Sequence, residues 1–103
     1  MAKLNVLLVC GSGASSGFMA ANMRKAAKEM GLDYQIKARS ESELETYADE
    51  IDALMIGPHL AYLEDEAREI VPDHVKVILM KPEYYSTLDG KKALEHLNEV
   101  MEG

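Results

Sequence analysis

The feature that most constrains this chain is an alternation. Four short runs, at residues 4–9, 33–39, 53–56 and 75–80, are each followed by a segment whose apolar residues recur every three or four positions. The runs are short and bounded by Gly, Ser or Pro, so they read as strands, and the segments between them as helices. Strands alternating with helices at this spacing demand a parallel sheet with helices on both faces. Right-handed crossovers leave strand order 2-1-3-4 as the arrangement that puts the two most apolar strands, the first and third, in the middle. The expected fold is therefore α/β: one open four-stranded parallel sheet, order 2-1-3-4, formed by residues 1–103 as a single domain. The order reverses between strands one and three, and ligands of open α/β sheets bind at such a switch point, beyond the carboxyl ends of the strands.

The individual elements follow from local pattern. Asn5 alone interrupts the first run. Met19, Met23, Ala26, Ala27 and Met30 form one stripe of a helix over 16–30, and Gly31 is its natural stop. Tyr34, Ile36 and Ala38 alternate with Gln35 and Lys37, which suits a strand at the sheet edge. Ser40 and Glu43 have capping-box spacing, ahead of a short helix with Leu44, Tyr47 and Ala48 inward. Leu60, Leu63, Ala67, Ile70 and Val71 mark a third helix, ended by Pro72. Residues 81–87 read as a loop or single turn. Asp89-Gly90 opens the last helix, with Ala93, Leu94, Leu97, Val100 and Met101 inward.

The first strand ends at the only cysteine, and Cys10-Gly11-Ser12-Gly13-Ala14-Ser15-Ser16-Gly17 follows. A strand, a tight Gly/Ser loop and a helix start put a sulfur among backbone N–H groups at a helix's positive end. Such a place binds an anion and lowers a thiol's pKa. The plain alternative is a small buried cysteine followed by an ordinary turn. Two observations favour function: the cysteine closes its strand at the edge where ligands bind, and Ser15 and Ser16 are placed to cap the helix while facing the loop. The loop is not a nucleotide P-loop, because Gly17 precedes Phe18 where Gly-Lys-Ser/Thr is needed. It misses the dinucleotide fingerprint at Ser16, and the lack of a second cysteine excludes a dithiol motif.

Composition narrows the setting. A hydrophobic fraction of 48% in 103 residues predicts a packed core. A formal net charge of −7 argues against nucleic acid and against an electrostatic grip on anionic membranes. One cysteine, no signal-peptide pattern and no apolar stretch of spanning length predict a soluble cytoplasmic protein. No large apolar stripe is left over once the helices face the sheet, so a monomer is expected.

A thiolate in an anion-binding loop suits phosphoryl chemistry. Low-molecular-weight phosphatases and arsenate reductases of similar fold use Cys-x5-Arg-Ser/Thr, whose arginine stabilises the phosphoryl oxygens. Here that position is Ser16, and Arg24, Arg39 and Arg68 all lie outside the loop. The missing charge argues against efficient hydrolysis and for a carrier that accepts a phosphoryl group, holds it and passes it on. A stand-alone phosphatase or arsenate reductase variant, and a non-catalytic flavodoxin-like module, are the alternatives.

Over essentially its whole length the chain resembles the IIB components of the lactose/cellobiose (chitobiose) class of the bacterial sugar phosphotransferase system. The resemblance rests on Leu7-Leu8-Val9-Cys10 with its serine-rich loop, on Gly57-Pro58-His59-Leu60-Ala61-Tyr62, and on Tyr85 with Leu88-Asp89-Gly90. It implies a low-molecular-weight phosphatase-like or flavodoxin-like sheet and no cofactor. It also implies that Cys10 receives a phosphoryl group from a phosphohistidine of a IIA partner and passes it to a sugar, usually a β-linked disaccharide, held by the membrane IIC partner. The protein would then be recruited to the inner face of the membrane by IIC, and residues 11–17 would cradle the phosphate. The family's loop commonly reads Cys-Ser/Ala-Ala-Gly-Met-Ser-Thr-Ser. Gly11, Ser12, Ala14 and Gly17 depart from it, and His59 stands where glutamine is common. The Cys-Gly-x-Gly start is also similar to galactitol-type IIB components, which leaves the sugar class open.

Secondary candidates each have a plainer reading. Pro58 and His59 lie at the switch point, where His59 is placed to touch phosphate or a partner; the plainer role is a solvent-facing histidine at a helix start. Asp89 is a candidate general acid or simply a helix cap. Tyr84 and Tyr85 line the site or pack beneath it. Phe18 and Met19 are placed to reach a partner beside the loop. His74 and His96 are expected at the surface, and the chain offers too few clustered ligands for a metal site. Glu64-Asp65-Glu66 reads as a solvated helix face.

Overall fold

The computed structural model describes residues 3–9 and 14–102, with the side chains of 14–16 left aside. Strands β1 (Leu4–Val9), β2 (Tyr34–Arg39), β3 (Ala53–Ile56) and β4 (Lys76–Leu79) form one sheet of order β2-β1-β3-β4, with every neighbouring pair parallel. The helices are α1 (Ala14–Glu29), α2 (Leu44–Tyr47), α3 (Leu63–Ile70), α4 (Pro82–Tyr85) and α5 (Gly90–Glu102), with single 3-10 turns at Glu41–Glu43 and Pro58–Leu60. The order is the one expected, and β2 is the edge strand. None of the described helices is long and apolar enough to cross a membrane.

The pleat of β1 divides the core. Val6 and Leu8 face one layer with Met19, Met23, Ala93, Leu94 and Leu97 of α1 and α5. Leu7 and Val9 face the other, with Leu44, Leu60, Leu63 and Ala67 of the α2–α3 side. All four residues of β3 are buried, as a central strand covered on both faces requires.

Helix ends explain most departures from expectation. The first helix stops at Glu29 in a Schellman turn: Gly31 takes φ +73°, its N–H donates to the Lys28 carbonyl at 3.1 Å, and the Leu32 N–H donates to Ala27 at 2.8 Å. Met30, expected in the buried stripe, is where the chain turns away and is 47% exposed. The same helix begins at Ala14, two residues before the expected Ser16, so Ser15 and Ser16 lie in its first turn instead of ahead of it. Pro58 opens a separate 3-10 turn, so α3 begins at Leu63 and not at Leu60. Ile70, at the end of α3, is 37% exposed instead of inward. His74 is exposed as expected, but His96 is half-buried and shares a 2.7 Å hydrogen bond with the buried Tyr84 hydroxyl.

At the other end of the α1–α5 layer, Leu88 sits at φ +54°, a strained conformation for a branched residue. The Asn22 side-chain amide donates to its carbonyl at 2.8 Å. Gly90 follows, at a point where an added Cβ would lie 2.5 Å from the Asn22 carbonyl oxygen and 2.6 Å from the Met23 nitrogen. The α1–α5 contact is thus made backbone against backbone.

Candidate functional site

The carboxyl edge of the sheet is where the chemistry-bearing residues converge. Val9 is the last ladder residue of β1, opposite Arg39 on one side and Ile56 on the other. The Gly57 N–H donates to the Val9 carbonyl at 2.9 Å, which holds the Gly57-Pro58-His59 turn beside the point where β1 ends. Helix α1 starts at Ala14, so four residues join strand to helix. Cys10, Gly11, Ser12 and Gly13 are those four and lie outside the described residues, as do the side chains of Ala14, Ser15 and Ser16. Gly17 is exposed in the first turn of α1. Of residues 11–17, read from sequence as the loop, 14–17 belong to the helix.

His59 and Tyr85 meet at this edge. Their rings are 5.8 Å apart and tilted by 48°; His59 is exposed and Tyr85 half-buried, touching both core layers. Pro58 is half-buried one residue earlier. Two large apolar residues are exposed nearby in the fold: Phe18 (67%) in the second turn of α1, and Tyr62 (66%) just before α3. Met19, by contrast, is fully buried and cannot reach a partner. Tyr62 has a sequence signal that went unused, since it falls off the Leu60-Leu63-Ala67 stripe that marks the buried face.

Asp89 follows in the same connection as Tyr85, its N–H donating to the Tyr84 carbonyl at 2.9 Å. Its carboxylate accepts from the Lys92 N–H at 3.1 Å and caps α5. Tyr84 turns into the α1–α5 layer, where burial pushes its hydroxyl up to about 12 and holds the His96 imidazole below its ordinary value. Lys81 lowers His96 further, and Glu99 acts against both.

Each of the three arginines has a partner among the described residues. Arg24 donates to the Ile36 carbonyl at 2.8 Å and Arg68 pairs with Glu64 at 2.8 Å. Arg39 lies across from Val9, yet its guanidinium turns to the Tyr47 hydroxyl at 3.1 Å and to the Ala38 carbonyl at 2.7 Å, and stacks 5.4 Å from the Tyr47 ring. Among the described residues no cluster of three His, Cys, Asp or Glu side chains is arranged to hold a metal ion.

This arrangement has relatives. The galactose-specific EIIB component of the phosphotransferase system of Lactococcus lactis subsp. cremoris (strain MG1363) is 30% identical, over 98% of this chain and 99% of the relative. The cellobiose-specific EIIB component of Lactococcus lactis subsp. lactis (strain IL1403) is 29% identical over the same shares. Among solved structures, the lactose-specific IIB domain from Streptococcus pneumoniae matches with a TM-score of 0.82 at 16% identity, over 96% of this chain and 98% of that one. The family model described as the lactose/cellobiose-specific IIB subunit of the phosphotransferase system matches residues 5–96, and the chain belongs to that family.

Proposed function

We propose that the protein is a phosphoryl carrier, working as one domain over residues 1–103, whose Cys10 thiolate takes a phosphoryl group from a phosphohistidine on a IIA protein. In the first step the sulfur attacks phosphorus, an S–P bond forms, and the N–P bond breaks with its electron pair returning to the imidazole. In the second, a sugar hydroxyl held by the membrane IIC protein attacks phosphorus, the S–P bond breaks to regenerate the thiolate, and the hydroxyl proton leaves to solvent or to a base of the partner. The protein acts at the cytoplasmic face of the membrane, where IIC recruits it. The sugar is a β-linked disaccharide, in keeping with the relative named for cellobiose.

The single observation that carries this reading is that residues 10–17 contain no arginine, while Arg24, Arg39 and Arg68 each have a partner among the described residues. Phosphate held by neutral groups, namely residues 11–17 and the first-turn N–H groups of the 16-residue α1, is positioned without the charge that drives water attack. Proximity then comes from docking with each partner. His59, Pro58 and Tyr85 are neighbours of the loop; Asp89 serves as a cap.

Intact mass after incubation with phosphoenolpyruvate, the general phosphotransferase proteins and a IIA protein of this class tests the proposal, with Cys10→Ser beside the wild type. One iodine-labile phosphate on the wild type and none on the variant is expected. No gain with several IIA donors, accompanied by turnover of an aryl phosphate, would overturn it in favour of a stand-alone phosphatase.

A further inference from the structure

Charge is distributed very unevenly along the chain. Residues 40–75, which supply α2, α3 and both 3-10 turns, carry eleven acidic side chains and one basic one, a formal −10. The rest of the chain is +3. The acidic side reaches the carboxyl edge at two places. Glu41 and Glu43 follow the end of β2, and Glu64, Asp65 and Glu66 open α3 after the end of β3. These strands flank β1, so the two groups border the point where β1 ends. The Tyr62 hydroxyl, donating to the Glu41 carboxylate at 3.5 Å, links them, and the Tyr62 ring stands 66% exposed.

An exposed tyrosine ringed by charge has the character of an interface anchor. Its occupant is indicated by charge. Anionic lipid repels this acidic segment, whose charge Lys37 and Arg39 over the Tyr47 ring offset only in part. Cytoplasmic loops of membrane proteins, however, carry an excess of Lys and Arg. Resting on the carrier reading above, we propose that Tyr62 and the acidic rim of Glu41, Asp65 and Glu66 form the docking surface for the Lys/Arg-rich cytoplasmic loops of the IIC partner. The molecule's charge asymmetry orients the Cys10 edge toward the membrane protein as it approaches.

The probe is a lactose/cellobiose-class IIC protein in phosphatidylcholine proteoliposomes, with protein-free vesicles as blank. The triple variant Glu41→Gln/Asp65→Asn/Glu66→Gln is compared with Glu29→Gln/Glu95→Gln/Glu102→Gln, which removes the same charge from exposed positions of α1 and α5. Co-sedimentation and acceptance of phosphate from IIA are read separately. The rim triple is expected to bind these vesicles about tenfold more weakly at about 0.15 M salt, with a flatter salt dependence, while accepting phosphate from IIA at the wild-type rate. Tyr62→Ala weakens vesicle binding with its salt dependence intact. The control triple changes neither reading. Equal weakening by both triples, an unchanged rim triple, or slowed acceptance from IIA with vesicle binding intact would each overturn the docking assignment. Wild-type binding that follows this pattern without phosphate acceptance would support the docking surface and defeat the carrier reading.

Discussion

Replacing Gly90 with alanine should weaken the fold by about 2 kcal/mol. The added Cβ would lie 2.5 Å from the Asn22 carbonyl oxygen and 2.6 Å from the Met23 nitrogen, and closer still to the Asn22 carbonyl carbon. These atoms belong to the backbone of α1, so no flexible side-chain end can swing aside. Reaching ordinary contact at about 3.5 Å requires the first turn of α5 to retreat by about 1 Å. That retreat would stretch the Asn22–Leu88 hydrogen bond, now 2.8 Å, which holds Leu88 at positive φ. Overpacking of this kind costs about 1–3 kcal/mol, and weakening the hydrogen bond adds up to about 1 kcal/mol. Against this, alanine is preferred over glycine in a helix by at most about 1 kcal/mol, and by less in a first turn. A net loss of about 2 kcal/mol lowers the melting temperature of a domain this size by about 10 °C. Urea unfolding followed by circular dichroism measures it. A Gly90→Ala protein within about 0.5 kcal/mol of wild type would refute the close-approach argument, because a surface change has that size.

Three further predictions concern Asp89, His96 and Tyr84. Asp89→Ala should cost about 1 kcal/mol through loss of the α5 cap, yet leave phosphate acceptance from IIA at the wild-type rate; a folded variant that no longer accepts phosphate would make Asp89 part of the chemistry. Burial, with Lys81, lowers the His96 pKa below 6.5 in the folded protein, so its contribution is complete above 6.5 and is lost as pH falls through the folded value. His96→Gln should therefore flatten the decline in stability below pH 6.5, and parallel wild-type and variant curves from urea titrations at stepped pH would contradict this. Tyr84, raised to about 12 mainly by burial, imposes the opposite dependence: stability falls as pH rises from 10, and Tyr84→Phe should reduce that fall, leaving the part due to Tyr34, which burial also raises.

What the sequence discloses here depends on whether the information is periodic or tertiary. Strand and helix alternation is periodic, and so the order β2-β1-β3-β4 and the two-sided core were legible. Gly31 was legible because a Schellman turn is local, but the exposure of Met30 was not, since the stripe continues one residue past the place where the helix turns. Pairings across the fold leave no mark on spacing. Nothing around His96 announces Tyr84, twelve residues earlier, and nothing around Gly90 announces the backbone of Asn22. The candidate site divides along the same line. The Cys10 motif is a local chemical signal, read from residues 10–17 alone. Its neighbours had to be brought there by topology: His59 and Tyr85 arrive at the carboxyl edge on the connections after β3 and β4, whereas the carboxylate of Asp89, equally prominent as a motif, is taken up in capping α5. Arg39 makes the same point in reverse. It ends the strand beside β1, close enough in register to tempt assignment as the missing phosphate-binding cation, and only the Tyr47 hydroxyl and ring reveal that its guanidinium is committed to the other side of the sheet. The absence of arginine from residues 10–17 is written in residue order, whereas the direction in which Arg39 points is a property of packing that residue order does not encode locally.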